Sequence, residues 1–292
     1  HDALPISKAK KYTGDVRFSY SKDYGKSFST PMTVNDDNLL VSHSFNELLV
    51  SAQGEISLTW LDGRFTQQSA TDKVKPGTAL FVAHGNVRKQ QVTFTNKLIA
   101  QGTCVCCRLS ADVNQQGELA VFWRHIYGDN IREFALFTEN RQQEPYQISY
   151  DHWQINGCPH QGGALSIDKS DDRYHMIWFN QGSIGKGIFY ANSIDYGKSL
   201  SKPLAIGQDT SQASHPHLQH NDQQVDVVWL AFNGTQHQLW HQSSTDNGNS
   251  FSSAKMLAQA DFGADRPFII KDKGKSYVSW LRFKQGAFWQ AL

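Results

Sequence analysis

Several features are scarce in this sequence, and each scarcity argues against a class of protein. Charged residues make up only 19% of the 292 residues, and 28 Lys+Arg nearly balance 27 Asp+Glu. A surface that binds duplex nucleic acid needs an excess of cations, which this chain lacks. No apolar run approaches the ~20 residues of a membrane-spanning helix, and there is no phosphate-binding loop, dinucleotide fingerprint or zinc-protease motif. We therefore expect neither nucleic acid nor a membrane among its partners.

Aromatic residues, in contrast, are abundant, at 12% of the chain with 8 Trp, 17 Phe and 10 Tyr. A chain of this length and composition can bury a large apolar core. No segment marks a boundary, so residues 1–292 are expected to form a single domain. The chain begins at His1 rather than Met and has an even number of cysteines. These two features favour a protein that is exported to the periplasm or secreted.

One octapeptide pattern recurs three times. Ser21-Lys22-Asp23-Tyr24-Gly25-Lys26-Ser27-Phe28 returns in related form at 193–200 and 244–251, each time after a β-rich segment. We call these segments Ser-Asp turns 1, 2 and 3. The pattern predicts a hairpin turn in which the Asp carboxylate accepts turn amides, the Gly adopts positive φ, and the last residue fills an apolar base.

A second periodicity, of about 50 to 60 residues, divides the chain into units. Each unit continues from a Cys-, His- or Arg-bearing segment into β-rich strands separated by polar turns. The second strands are expected at 56–61, 119–123, 174–179, 225–230 and 276–280. Repeats of about four short strands are typical of propeller blades. The sequence thus predicts an all-β fold, a six-bladed β-propeller of four-stranded antiparallel blades.

The first of these blades is supplied in part by the N-terminal segment. Residues 1–5 are a candidate remnant of its inner strand, and residues upstream of His1 are the alternative source of the missing strands. The longest connection, residues 64–77, is expected to project as a surface loop.

The three Ser-Asp turns and the unit spacing resemble the Asp-boxes (BNR repeats) of the sialidase superfamily of six-bladed β-propellers, over essentially the whole chain. More narrowly, Cys104-x-Cys106-Cys107, followed by Trp123-Arg124-His125 and Gly157-Cys158-Pro159-His160, is similar to a bacterial sialidase-like subgroup. The resemblance implies the propeller fold. In that family the Asp-boxes lie away from the ligand site, so they indicate fold rather than chemistry.

The resemblance also implies a glycoside hydrolase with an arginine triad that clamps a substrate carboxylate, a Tyr–Glu nucleophile pair and an Asp acid/base. The family's Phe/Tyr-Arg-Ile-Pro segment is missing here. Substitutes lie at unit starts and after second strands, although for each arginine an ion pair is the competing interpretation. For a hydrolase of sialic-acid-like or other acidic glycans, the candidate catalytic residues are Arg64, Arg108, Arg124, Arg266 and Asp62.

The unit starts carry a set of thiols and imidazoles that suggests metal binding. In a propeller the inner strands open onto a shared funnel, where these side chains are expected to meet. Such donors favour Cu or Zn over Mg or Ca. Alternation along a strand predicts that Cys104 and Cys106 share one face and that Cys107 points to the other. The candidate metal ligands are Cys104, Cys106, Cys107, Cys158, His160, His43, His215 and His217.

Two other interpretations of the cysteines stay open. One is a pair of disulfides, for example between Cys158 and the 104–107 segment, and the other is redox-active thiols. Our first functional hypothesis is an exported propeller that binds a small ligand or a soft metal ion at its funnel. The alternative is the glycoside hydrolase, and the third is an interaction scaffold with structural disulfides. These hypotheses leave open whether the protein is an enzyme.

Overall fold

The structure is a computed structural model that describes residues 12–71, 75–89, 91–208 and 210–292. Within these ranges all strands and turns belong to a β fold, and no helix is long or apolar enough to cross a membrane. The chain divides into two compact units, which we call unit 1 (up to Leu109) and unit 2 (Ser110–Leu292). Residues 1–5, proposed above as an inner-strand remnant, lie outside the described residues.

In its described part, unit 1 has a short strand pair followed by a longer meander. The strands are β1 (Arg17–Phe18), β2 (Met32–Thr33), β3 (His43–Val50), β4 (Glu55–Phe65), β5 (Gly77–Asn86) and β6 (Thr95–Thr103). β1 pairs with β2, and β3 to β6 pair antiparallel in chain order. The predicted second strand at 56–61 is confirmed within β4.

Unit 2 consists of antiparallel sheets that follow one another along the chain. Its strands are β7 (Ser110–Val113), β8 (Leu119–Tyr127), β9 (Ile131–Thr138), β10 (Tyr146–Gln147), β11 (Gly163–Asp168), β12 (Arg173–Gly182), β13 (Gly185–Ser193), β14 (Leu204–Ile206), β15 (Ser214–Asn221), β16 (Gln224–Phe232), β17 (His237–Ser244), β18 (Lys255–Ala260), β19 (Phe268–Asp272), β20 (Lys275–Arg282) and β21 (Gly286–Ala291). Each of the other four predicted second strands is confirmed, within β8, β12, β16 and β20.

The strands of unit 2 pair as chain-order meanders, β7–β10, β11–β14, β15–β18 and β19–β21. Three of these meanders have the expected four strands, and the last has three in the described residues. Unit 1 adds one four-stranded meander and a two-stranded pair. The described strands therefore do not amount to six complete blades, and the number six stays a prediction.

One tryptophan sits at the same place in five meanders, on the second strand. Each of these indoles is at most 1% exposed. Since an indole is a very large apolar side chain, it fills the space between neighbouring sheets and gains a large burial free energy. In unit 2, for example, Trp178 packs on Phe122 and Phe134 of the preceding sheet. The five residues are Trp60, Trp123, Trp178, Trp229 and Trp280.

The first strands of consecutive sheets in unit 2, β7, β11, β15 and β19, lie next to each other. Side chains of one strand bond to the next: the Ile167 amide donates to Asp112 Oδ2 at 2.9 Å, and the Ile269 amide donates to His217 Nδ1 at 3.2 Å. These bonds satisfy strand amides that have no ladder partner on that side. They hold the sheets of unit 2 in a fixed order.

The local geometry predicted for the Ser-Asp turns is confirmed. In turn 3, Ser250 donates its amide to Asp246 Oδ1 (2.9 Å) and its hydroxyl to Oδ2 (2.6 Å), while the Gly248 amide donates to Ser244 Oγ (2.8 Å). Turns 1 and 2 repeat these contacts. The Ser250 hydroxyl, with further donors, lowers the pKa of Asp246 to about 2.

The last residue of each Ser-Asp turn behaves differently from copy to copy. Leu200 and Phe251 pack against buried clusters, as expected for an apolar plug. Phe28, in contrast, is 67% exposed, so the prediction is wrong for turn 1. The hydrogen bonds of the turn form whether or not the plug is buried.

The turn glycines have a second role in unit 2. Gly248 has φ +81°, and a Cβ there would lie 1.8 Å from Tyr190 Oη of the preceding sheet. Gly25 has nearly the same φ, +84°, but a Cβ there would meet nothing within 4 Å among the described residues. Glycine is thus needed for backbone conformation in turn 1 and also for close packing in turn 3.

We predict that Gly248→Ala destabilises the protein more than Gly25→Ala does. Both substitutions add the strain of a positive φ, about 1 kcal/mol, but only Gly248→Ala also forces Tyr190 to move. Scanning calorimetry should show a melting temperature lower by several degrees for Gly248→Ala than for Gly25→Ala. Equal losses for the two variants would contradict a packing role for Gly248.

Candidate functional site

The three clustered cysteines of unit 1 lie in a turn between β6 and Leu109, not in a strand. Cys104 Sγ is 3.0 Å from Cys107 Sγ and 3.8 Å from Cys106 Sγ, and all three sulfurs lie within 4.8 Å of one another. The expectation that Cys107 points away from the other two is therefore wrong, because strand alternation does not apply to a turn. The distances from Cys104 are also too long for a disulfide bond of about 2.05 Å.

A second group of predicted residues meets elsewhere in unit 1. His43 Nδ1 lies 2.8 Å from the Gly14 carbonyl oxygen, and its Nε2 lies 3.1 Å from Asp37 Oδ2 and 3.6 Å from Asp62 Oδ2. A carbonyl only accepts, so Nδ1 donates, and the contact of Nε2 with Asp37 requires a proton on one of the two groups. Asp37 was not predicted, and its position in the polar run 35–38 gave the only signal.

Arg64 forms ion pairs with aspartates of its own unit. Its guanidinium contacts Asp62 Oδ2 and Asp36 Oδ1, each at 2.9 Å, and lies 3.9 Å from the centre of the Phe81 ring. Asp62 also accepts the indole proton of Trp60 at 2.9 Å. A substrate carboxylate would have to displace these carboxylates from the arginine, so this group has the form of a closed ion-pair network.

The other candidate arginine of unit 1, Arg108, is exposed. Its guanidinium lies 5.7 Å from the centre of the Phe45 ring. Arg108 follows the cysteine turn directly in sequence, so it brings a positive charge to that end of unit 1.

Arg124, in unit 2, is only 1% exposed and is held by backbone carbonyls. Its guanidinium donates to the oxygens of Arg132 (3.0 Å), Gln161 (3.2 Å) and Phe179, and it stacks on the Phe134 ring at 4.3 Å. These contacts tie the ends of β8, β9 and β12 together. They describe a packing role, in place of the ion pair that was the competing interpretation from sequence.

The other predicted residues of unit 2 lie near the beginnings of their sheets. Cys158 and His160 are exposed, and the backbone of both His160 and His215 is left-handed, with φ 53° and 51°. Burial, with the nearby Arg266 charge, lowers the pKa of His217 to about 4, so this imidazole is neutral at physiological pH. Arg266 stacks on the Phe268 ring at 4.3 Å, and His217 packs against the same ring.

A cleft of about 440 Å³ in unit 2 was not predicted from the sequence. Lys198 and Lys202 lie at its surface, and Tyr150, 62% exposed, lines it. Trp178 and Asp151 also line the cleft, and both are buried. Among the described residues, neither Trp178 Nε1 nor Asp151 Oδ2 has a hydrogen-bond partner. A buried donor and a buried acceptor without partners at one cleft are unusual in a native structure.

The electrostatics of the cleft depend on a buried carboxylate pair. Burial, and then the neighbouring Glu133 carboxylate, raise the pKa of Asp151 to about 6. Glu133 is fully buried and accepts hydrogen bonds from the Ser149 hydroxyl and the His152 amide. Asp151 therefore exchanges its proton close to neutral pH, as a general acid does.

A glycine fixes the position of Asp151. A Cβ on Gly182 would lie 2.2 Å from the Asp151 carbonyl oxygen and 2.5 Å from its Cβ. The Ser183 amide donates to the same carbonyl at 2.6 Å. The β12–β13 turn thus holds the Asp151 backbone against the sheet.

No protein-family model matches the sequence, and no curated protein is similar to it. Solved structures do show similarity. An ulvan lyase of a polysaccharide lyase family, bound to -[GlcA(1-4)Rha3S]-, has a TM-score of 0.57 and 13% identity over 96% of this chain and 70% of the lyase. An α-L-arabinanase of Penicillium chrysogenum, complexed with arabinobiose, has a TM-score of 0.53 and 13% identity over 85% and 77% of the two chains.

A NanB sialidase mutant from Streptococcus pneumoniae has a TM-score of 0.50 and 10% identity. The match covers 82% of this chain and 56% of the sialidase chain, so this chain spans little more than half of that protein. At such low identities the similarity concerns the fold alone. The chain thus has a fold of the β-propeller type, shared with sialidases, arabinanases and lyases.

Proposed function

We propose that the protein binds and hydrolyses acidic glycans, with the cleft of unit 2 as its substrate site. The observation that carries the proposal is the pair of unpartnered buried atoms there, Trp178 Nε1 and Asp151 Oδ2. The three structures compared above are of proteins whose names refer to glycans, and one of them was bound to a GlcA-containing sugar. Since one fold hosts many chemistries, the argument rests on the cleft and not on the fold.

The side chains of the cleft match the chemistry of an acidic sugar. Lys198 and Lys202 supply cationic donors for a carboxylate or sulfate, and the exposed Tyr150 ring offers an apolar face for a pyranose ring. Lys198 belongs to Ser-Asp turn 2, so this proposal departs from the expectation that these turns lie away from the ligand site. A volume of about 440 Å³ lies within the usual range for small-molecule sites. Trp178 Nε1 and Asp151 Oδ2 are buried in this conformation. We therefore expect side chains that line the cleft to shift when the ligand enters.

Asp151 is our candidate general acid. With a pKa of about 6 it is protonated for part of the time near neutral pH and can protonate the leaving glycosidic oxygen. This assignment replaces the arginine clamp expected from sequence by lysines, because Arg124 already donates to carbonyls within unit 2.

Replacing Asp151 by a residue that cannot act as an acid is expected to slow turnover strongly. We predict that Asp151→Asn lowers the hydrolysis rate of acidic oligosaccharides at least about 100-fold. The wild-type rate should decline as the pH rises above about 6, because the acid is then ionised. Rates would be measured on sialyl and uronyl oligosaccharides across a pH series, and an unchanged rate in Asp151→Asn would contradict the assignment.

Asp151→Asn, which is expected to lower turnover, is also expected to raise the stability of the protein. A raised carboxyl pKa gives stability that is fully present below the unfolded value of 3.8 and is lost as the pH rises through about 6. Asp151→Asn removes this loss, so we predict a free energy of unfolding higher than wild type by roughly 1–2 kcal/mol at pH ~8, with little difference at pH ~4. Urea denaturation at both pH values measures the difference. A wild-type stability that does not change between them would refute the buried-carboxyl argument.

The surface lysines are expected to select acidic over neutral ligands. We predict that Lys198→Ala combined with Lys202→Ala weakens binding of an acidic oligosaccharide about tenfold, with a smaller loss at high salt, and leaves neutral oligosaccharide binding unchanged. Lys186→Ala is the matched control, because Lys186 lines a different cleft of unit 2. Isothermal titration calorimetry gives the dissociation constants. An equal loss in the control would mean that the effect is not local.

We also propose soft-metal binding as a second function, with Cu or Zn as the ion. The specific observation in its favour is the meeting of three sulfurs in unit 1. Of the histidines predicted as ligands, His43 is engaged by Asp37 and the Gly14 carbonyl, and His217 accepts the Ile269 amide. Within unit 1, the three thiols are the donors that support this proposal.

Six blades and export to the periplasm or the medium belong to the same proposal. The six-blade count is supported by the regular meanders and by the β1–β2 pair, which follows the pattern of two outer blade strands. Export is supported by the even number of cysteines alone.

A further inference from the structure

We infer that the sheet β19–β21 of unit 2 carries a second binding surface, on which an acidic polysaccharide chain stacks against Tyr277 and Trp289. This surface shares no residue with the cleft of unit 2. Binding of a polymer there does not require that the polymer is cleaved. The surface therefore goes beyond the proposed function.

The two faces of this sheet differ in burial. On β20, Val278 and Trp280 are at most 1% exposed and pack against β16 and β17 of the preceding sheet. Because side chains alternate along a strand, Tyr277 and Leu281 point to the opposite face. We call this opposite side of the sheet the open face.

The pairing register adds two more apolar side chains to the open face. Ile270 lies opposite Tyr277, and Trp289 lies opposite Ser279. Trp289 is 55% exposed, Leu281 49% and Ile270 45%. Exposed apolar side chains that are grouped in this way mark an interaction surface.

The two large rings of the open face form a pair. Tyr277 and Trp289 are diagonal neighbours on adjacent strands, and their ring centres are 5.8 Å apart at an interplanar angle of 19°. Parallel rings in full overlap would have centres only ~3.5–4.0 Å apart, so these rings are offset and each leaves part of its face uncovered. An uncovered aromatic face can pack against the apolar C–H face of a pyranose ring.

The charge of these strands selects an acidic ligand. Residues 268–291 contain five Lys+Arg and one Asp, although the whole chain is close to neutral. The single carboxylate, Asp272, lies opposite Lys275 in the β19–β20 pairing. Four of the five cations therefore have no acidic counterpart within these strands. Such a local excess of positive charge attracts polyanions.

The positions of the cations favour a chain over a single small ligand. Lys273 and Lys275 lie at the β19–β20 turn, and Arg282 and Lys284 lie at the β20–β21 turn. β20, which joins these turns, has eight residues and spans roughly 25 Å at about 3.3 Å per residue. A polymer of uronic acids repeats both features that this surface can recognise, an apolar ring face and a carboxylate.

The test is isothermal titration calorimetry with polygalacturonic acid. The full-length protein carries Asp151→Asn, Lys198→Ala and Lys202→Ala, which disable the cleft. We expect binding that weakens at high salt. Further substitution by Trp289→Ala should weaken it about tenfold, and so should Lys273→Ala combined with Lys275→Ala.

Two matched controls should bind polygalacturonic acid as the parent protein does. Tyr24→Ala removes a fully exposed ring in Ser-Asp turn 1, and Lys186→Ala removes a lysine that lines another cleft of unit 2. Trp289→Phe keeps a ring and should retain most of the affinity. The lysine pair changes only exposed side chains and decides the outcome if Trp289→Ala does not fold.

Unchanged binding in both the Trp289→Ala and the lysine-pair variants would overturn the inference. Equally tight binding of poly-L-glutamate would contradict a role for the rings, because that polyanion has no sugar. Binding to phosphatidylglycerol vesicles in place of polygalacturonic acid would make the open face a membrane-binding surface. A dimer that Trp289→Ala converts to a monomer would make it a contact between copies of the chain.

The inference and the proposed function can fail separately. Trp289→Ala alone, with the cleft intact, should turn over short acidic oligosaccharides at the wild-type rate. Loss of polymer binding in this variant with unchanged turnover supports two independent surfaces. Polymer binding by a wild-type protein that hydrolyses no acidic oligosaccharide would remove the hydrolase proposal and leave the open face as the glycan-binding surface.

Discussion

Burial of one indole on the second strand of each meander is the constraint on which the rest of the structure depends. A meander of this length has two apolar faces, and neither is stable until another sheet covers it. In unit 2, Trp178 fills the gap to the sheet before it, and Trp229 does the same within the next cluster along the chain. The packing of these rings fixes the spacing of successive sheets, and hence the positions of the turns that end their strands.

Residues near those strand ends contribute to the candidate site. Just beyond Trp178 in sequence, Gly182 contacts the Asp151 backbone, and Asn180 donates to Glu133, the carboxylate near Asp151. The ring of Trp178 itself lines the cleft. The core and the cleft thus share a residue. The same side chain that stabilises the sheet interface presents an indole N–H without a partner at the cleft. A polar group left in such a position lowers stability, which is a common property of sites that bind ligands.

Sequence patterns predicted the parts of this structure that depend on neighbouring residues. The Ser-Asp turns and the second strands were predictable because their hydrogen bonds and alternation involve residues that are close in the chain. The cysteine segment was mispredicted because the rule applied to it also considered only residues that are close in the chain. Strand alternation was applied to Cys107, although β6 ends at Thr103 and residues 104–107 form no strand.

The cleft and the ion-pair network depend on contacts between distant segments, which single-sequence patterns do not contain. The pKa of Asp151 is raised because the residue is buried and because Glu133, in β9, lies near it. The pairing of β3 with β4 places Asp62 opposite His43, and Asp37 reaches the same imidazole from the segment before β3. Arg124 was recognised as a candidate, yet the carbonyls that hold it could not be read from its neighbours in the chain.

The Ser-Asp turn has a consequence for how a chain of this kind can grow by duplication. The hydrogen bonds accepted by the Ser and Asp side chains of the turn join residues within one octapeptide, so a copied hairpin brings these bonds with it. The close approach of Gly248 to Tyr190 is different, because it requires a fitted neighbour and must be acquired after copying. A Cβ at Gly25 would meet nothing within 4 Å among the described residues, so turn 1 forms without such a neighbour.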